Sequence, residues 1–282
     1  MSRKVAIVTD STSDLTPEQQ ERYGITVVPL YVHFGQDTYR DSVDITTDEF
    51  IDRMAKADRL PTTSQPAVGA FEDCFRLLAT DHDEVCCVLI SSKLSGTFQS
   101  ASLAAQAVTA NVHVEVVDSA NVTAALGMQA IRAASLADDG QDASAIAKRL
   151  ASEVVRYHTI FFVETLEHLR RGGRIGKAAQ LVGALIRLRP LLRIEEGQIV
   201  PYERTRTRAR AVEALVSFTR EIARIEDAAV IYNTTKEDAQ ALSKAISDVA
   251  GGPVDTVRFG PVISTHVGPG VLGVVAREAV SE

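Results

Sequence analysis

Cysteine is scarce in this chain of 282 residues: only Cys74, Cys86 and Cys87 occur, too few and too badly placed to frame a disulfide scaffold. Cys86 and Cys87 lie inside an apolar strand pattern, where a thiol behaves as a small hydrophobe. Buried thiols in a reducing cytoplasm are therefore expected. No apolar run approaches the length of a membrane span, and the apolar-leaning run over 5–9 is too short for the core of a signal peptide. Positive charge is in deficit as well. Thirty Lys and Arg face 37 Asp and Glu, a net charge of −7, whereas attraction to nucleic acid needs a basic field. A nucleic-acid partner is not expected. Neither C-x-x-C nor H-x-x-x-H is present, so a transition-metal site has no basis, and no cofactor is expected.

The length exceeds the usual range of a single core and predicts two domains. Apolar runs at 5–9, 25–34, 85–90 and 112–117 end in turn residues and alternate with helical segments, the pattern of a mostly parallel sheet. Thr16-Pro17-Glu18-Gln19 and Thr46-Thr47-Asp48-Glu49 read as capped helix starts. The spacing of Ile146, Leu150, Val154 and Val155 predicts one long helix over 142–157. The expected boundary lies at its end, giving an N-terminal α/β domain over 1–157 and a C-terminal one over 158–282.

In the second half, strands are expected at 159–163, 228–233, 254–259 and 271–276. A hairpin is expected around Glu195-Glu196-Gly197, and helices over 178–188, over 207–225 and after Thr235. The fold class is thus α/β, with a parallel sheet in the first domain and a mixed sheet plus helices in the second.

Three short loops carry the chemistry: Thr62-Thr63-Ser64-Gln65-Pro66, Ser91-Ser92-Lys93-Leu94-Ser95-Gly96-Thr97 and His266-Val267-Gly268-Pro269-Gly270. The second follows a buried-strand pattern, so its hydroxyls and amides should sit at a strand's carboxyl end, where α/β folds bind ligands. None of the three contains Asp or Glu. Together they offer hydroxyls, amides and one imidazole, a set suited to a carboxylate or phosphate.

Other readings of these residues stay open. Ser95 and His266 can be read as nucleophile and base of an esterase or phosphatase, although no nucleophile elbow surrounds Ser95 and no orienting acid is designated. A module binding a polar small molecule is a further alternative. Gly268-Pro269-Gly270-Val271-Leu272-Gly273 matches a dinucleotide pattern but leaves too little chain for the helix and strand that must follow. Residues 172–177 resemble a phosphate loop that is one residue short, with Ala178 where a hydroxyl should bind metal. Asp10 and Asp118 each close a strand before a Ser, a place where carboxylates commonly cap the next element. Arg170, Arg171, Arg174 and Lys177 form one basic cluster, and Arg204, Arg206, Arg208 and Arg210 another.

Asp10-Ser11-Thr12-Ser13-Asp14-Leu15, Thr63-Ser64-Gln65-Pro66, Leu94-Ser95-Gly96-Thr97, Leu169-Arg170-Arg171-Gly172-Gly173-Arg174-Ile175 and His266-Val267-Gly268-Pro269-Gly270 together resemble, in order, the signatures of the DegV family. Lys93 and Phe98 stand where that family often has Gly and Tyr. The resemblance implies a two-domain bacterial fatty-acid-binding protein, the lipid-carrying subunit of a fatty acid kinase, and not itself an enzyme. It implies that Thr63, Ser95 and His266 bind the carboxylate near the domain junction, with Thr62 and Gly96 beside them. It implies that Arg174 and Arg206 dock a separate ATP-dependent kinase, which makes acyl phosphate for phospholipid synthesis. Leu181, Val182, Leu185 and Ile186, on the apolar side of 178–188, are candidates for lining an acyl tunnel; a core helix would show the same pattern.

Overall fold

The run at 5–9 forms a strand, Val5–Asp10 (β1), buried from end to end. Alternate side chains of a strand point to opposite faces. Val5 and Ile7 accordingly join one apolar cluster with Cys86 and Val88, whereas Ala6 and Val8 join another with Val85, Cys87 and Leu89. A strand buried on both faces belongs in a parallel sheet covered by helices. The computed structural model of the chain, which describes residues 4–181 and 189–280, contains such a sheet.

After β1 come a 3-10 turn, Ser11–Ser13, and a helix, Pro17–Tyr23 (α1), opened by the expected capping box of Thr16 and Gln19. The run at 25–34 is two strands rather than one. Pro29 has no amide hydrogen to give to a ladder, and Ile25–Val28 (β2) and Tyr31–Phe34 (β3) on either side of it join different sheets. Next are Asp37–Arg40 (β4), Thr47–Lys56 (α2), Thr62–Ser64 (β5), Val68–Leu78 (α3) and Glu84–Leu89 (β6). Thr97–Ala107 (α4), His113–Asp118 (β7), Ala124–Asp138 (α5) and Ala143–Glu153 (α6) follow. The order β2-β1-β6-β7 makes a four-stranded sheet with every pairing parallel, and β4-β3-β5 makes a three-stranded one. Residues of α5 and α6 pack on one face of the parallel sheet, those of α3 and α4 on the other.

The helix expected over 142–157 ends at Glu153. A 3-10 turn, Val154–Arg156, follows, and Tyr157 already opens a strand. Val155 is exposed, so the apolar spacing that lengthened the expected helix is not a core face there.

Tyr157–Phe162 (β8), Glu167–Arg171 (α7), Arg189–Glu195 (β9) and Gln198–Thr205 (β10) come next, then Arg208–Glu221 (α8), Ile225–Tyr232 (β11) and Lys236–Ala250 (α9). Asp255–Arg258 (β12), Pro261–Val267 (α10) and Leu272–Glu278 (β13) complete the described chain. The six-stranded sheet β10-β9-β8-β13-β11-β12 is mixed: β11 and β12 run parallel, the other pairs antiparallel. The expected hairpin joins β9 to β10 through Glu196 and Gly197 at φ 50° and 75°, the left-handed pair that suits a two-residue turn. Ile160, Phe162, Val230 and Val274 meet Leu215, Leu242 and Ile246 of α8 and α9 in one core.

The chain falls into two compact units, Met1–Ile45 with Thr63–Val154, and Thr46–Thr62 with Val155–Glu282. The sequence reading has a single cut after 157; the structure also assigns 46–62 to the second unit. There Arg258 Nη2 donates to Asp48 Oδ1 at 2.6 Å, and α2 packs on α10.

Candidate functional site

In the first unit, residues 90–96 run from the carboxyl end of β6 to the first turn of α4, where the hydroxyl loop is expected. Two aspartates on the neighbouring strands fix this loop. Ile90 N donates to Asp10 Oδ2 at 2.8 Å, and Ser92 N to Asp118 Oδ1 at 3.2 Å. Asp10 also accepts from Thr12 N at 2.9 Å and Asp118 from Ala120 N at 2.8 Å, so both carboxylates serve the backbone as caps. Burial pushes the Asp10 carboxyl pKa up, against the pull of its hydrogen bonds.

Ser91 then turns the chain, its carbonyl accepting from Leu94 N at 2.9 Å and Ser95 N at 3.1 Å. Ser95 Oγ shares a hydrogen bond with Thr97 Oγ1 at 2.9 Å and accepts from Thr97 N at 3.3 Å. Ser95 therefore stands at the amino end of α4, where open amides and the helix dipole favour an anion. Gly96 is the cap residue and offers those amides no side-chain acceptor.

Thr62–Ser64 is a strand, not a loop. Ser64 Oγ bonds His33 Nε2 at 2.9 Å, and His33 Nδ1 bonds Thr38 Oγ1 at 2.9 Å, which ties the three-stranded sheet together on one face. Strand alternation turns half-buried Thr63 to the other face. Gln65 links this strand to the Ser95 loop. Its Nε2 donates to Ser100 Oγ at 3.0 Å, and a Cβ built on Gly96 would lie 2.2 Å from its Oε1. Gly96 is needed for room.

In the second unit, His266 lies on a helix rather than a loop, in the last turn of α10, which ends at Gly268 with φ 74°. The turn at 268–270 leads into β13, a strand where the dinucleotide motif requires a helix. His266 packs over Gly172, and His168 over Gly268: a Cβ built on Gly172 would lie 2.3 Å from His266 Nδ1, and one on Gly268 would lie 2.5 Å from His168 Cδ2. His168 also hydrogen-bonds the Thr265 backbone. Two signatures nearly a hundred residues apart thus interlock. Burial, helped by the Arg174 charge and by His168, holds the His266 pKa down to about 4. The ring is neutral at pH 7 and keeps one N–H to donate.

Most of the basic side chains read as two clusters have partners. Arg170 and Arg171 both pair with Glu167, Arg208 with Glu164 and Asp238, and Arg210 with Glu213. Arg174 is half-buried, its Nη1 donating to Gly172 O at 2.7 Å. Lys177, Arg204 and Arg206 are exposed and have no carboxylate partner among the described residues. Of the tunnel candidates, Leu181 is buried; Val182, Leu185 and Ile186 lie outside the described residues. Cys86 and Cys87 are buried free thiols, and burial pushes the Cys86 pKa up to about 12. Among the described residues no helix is long and apolar enough to cross a membrane, and no cluster of His, Cys, Asp and Glu could hold a metal ion.

Sequence reasoning passed over Gln65, His168 and Asn233 as site residues. Gln65 lies inside a quoted motif and His168 adjoins one, but what they touch comes from distant parts of the chain. Asn233 carried only the signal of a polar residue closing an apolar strand.

A family model described as "Uncharacterised protein, DegV family" matches residues 4–279. A DegV domain-containing protein of Halalkalibacterium halodurans is 38% identical over 275 residues, covering 96% of this chain and 97% of that protein. A solved DegV family protein from Thermus thermophilus, described by its fatty acid binding, is 36% identical with a TM-score of 0.89, covering 98% of this chain and 100% of that one. DegV of Bacillus subtilis, described as a fatty acid binding protein, is 33% identical with a TM-score of 0.88, covering 99% and 100%.

Proposed function

The chain belongs to the DegV family, and from that premise we propose that it binds a long-chain fatty acid and presents the carboxylate to a separate ATP-dependent kinase. The kinase makes the acyl phosphate, and this chain is the carrier. Thr63, Ser95 and His266 donate to the carboxylate, with Thr62 and Gly96 alongside; buried Leu181 lines the acyl tunnel. Arg174 and Arg206 face the kinase. The observation that carries the reading is similarity over nearly the whole chain to proteins that bind fatty acids.

The chemistry of the individual groups supports it. Burying about fourteen methylenes yields on the order of 11 kcal/mol gross, at ~0.8 kcal/mol each, before the entropy of association is subtracted. The tail supplies affinity. Each hydrogen bond to an ionised carboxylate contributes roughly 1.5–3 kcal/mol, so the head group supplies orientation and the preference for an acid. A neutral imidazole suits that work better than proton abstraction. A general base functions best with a pKa near the working pH, and His266 at about 4 is far below it, which weakens the reading as a Ser–His hydrolase.

The test is calorimetry on delipidated protein with hexadecanoic acid and with its methyl ester. The proposal expects the acid to bind more tightly by at least tenfold; equal affinities would remove the carboxylate site.

A further inference from the structure

Asn233 follows directly on β11 and is wholly buried. A buried amide is tolerated only when hydrogen-bonded, and this one is engaged at both ends. Nδ2 donates to Gly268 O at 2.7 Å, while Oδ1 accepts from Thr234 N at 2.9 Å and Val271 N at 3.3 Å. Thr234 Oγ1 accepts from Gly270 N at 2.9 Å, and Arg208 Nη1 donates to Gly270 O at 2.9 Å. Backbone groups on both sides of Pro269 are thus gripped by side chains from other elements. Gly268 N itself donates to Ser264 O at 2.9 Å and closes α10.

A helix of seven residues has little rigidity of its own. Its end is set by what holds Gly268, which is the His168 ring against the α-carbon and the Asn233 amide on the carbonyl. His266 stands two residues earlier. We propose that Asn233 is a positioning residue for His266, fixing the Gly268 carbonyl so that α10 ends where its last turn aims the imidazole. The inference rests on the reading of His266 as a carboxylate donor.

Asn233→Asp keeps the shape but replaces the donor facing Gly268 O with an acceptor. Two measurements are made on it: affinity for hexadecanoic acid and its methyl ester, and the His266 ring resonances of the lipid-free protein followed through a pH titration. The expected result is about a tenfold loss of affinity for the acid, no change for the ester, and displaced His266 resonances whose midpoint rises towards the ordinary imidazole value. Thr234→Val, which removes the acceptor for Gly270 N and the long 3.5 Å hydrogen bond from Thr234 Oγ1 to Asn233 Oδ1 but leaves Asn233 Nδ2 on Gly268 O, should shift the same signals by less, and decides the matter if the Asp variant does not fold. Ile246→Val, in the core of the same unit, serves as a control for general softening. Unchanged His266 resonances in both variants, or an equal displacement in Ile246→Val, would overturn the proposal. If the parent itself binds acid and ester alike, the carboxylate reading fails, and the resonances still decide the role of Asn233.

Discussion

His266 lies so close over Gly172 that a Cβ there would sit 2.3 Å from its Nδ1. The backbone at Gly172 is ordinary for any L-residue, with φ −73°, so what the position demands is space. Its neighbour differs. Gly173 has φ 70° and open surroundings, so what it demands is a left-handed backbone. Gly172→Ala should displace the imidazole and reduce acid binding by an order of magnitude or more. Gly173→Ala should lower stability by about 1 kcal/mol through backbone strain and leave the His266 resonances in place. Chemical denaturation and ring spectra of the two variants separate these outcomes; matching behaviour would contradict the distinction.

The low pKa of His266 links stability to pH. As pH falls below about 6.5 the unfolded chain takes up the imidazole proton while the folded chain does not, until pH approaches about 4. The contribution of His266 is therefore full above that window, declines through it and is flat below. Its size is roughly 3 kcal/mol at most. Urea unfolding at pH 7 and at pH 4.5 should show the parent losing more stability than His266→Gln; equal losses would mean that the ring titrates normally.

Gln65 and Gly96 meet in a single contact, and this makes their effects non-additive. Either Gln65→Ala or Gly96→Ala should break the link to Ser100 and weaken acid binding about threefold to tenfold. The double variant should be no worse than the poorer single one. Additive losses in a double-mutant cycle would show that the two residues act separately.

Arg206 and Arg174 should part company under charge reversal. Arg206 is exposed, so Arg206→Glu should leave lipid loading intact and slow kinase-dependent acyl phosphate formation, more strongly at low ionic strength. Arg174 is half-buried and its charge acts on His266, so Arg174→Glu should disturb loading as well as transfer. Unimpaired transfer by Arg206→Glu would end its docking role.

Much of the architecture was legible because its causes are local. The runs at 5–9 and 85–90 are buried on both faces and become central strands of a parallel sheet, and the capping boxes at Thr16 and Thr46 form as their residue types require. The misses are non-local. Residues 25–34 look like one strand until Pro29 sends its two halves to different sheets. Arg208 looks like part of a solvated basic run, yet Glu164, 44 positions away, and Gly270 draw it inward over the Phe162 ring. His266 looks like a loop residue because nothing in its motif announces the helix that starts at Pro261. The signatures at 169–175 and 266–270 were visible, but that the His266 ring rests on Gly172, and the ring of His168, just ahead of the first signature, on Gly268, is a fact of packing alone.

The carrier account is tested most directly by what the protein holds when purified under native conditions. Solvent extraction of the denatured protein followed by mass spectrometry should return long-chain fatty acid in near-stoichiometric amount, and delipidated protein should take up added acid again. No fatty acid in the extract, together with no uptake of added long-chain acid, would contradict the account at its centre.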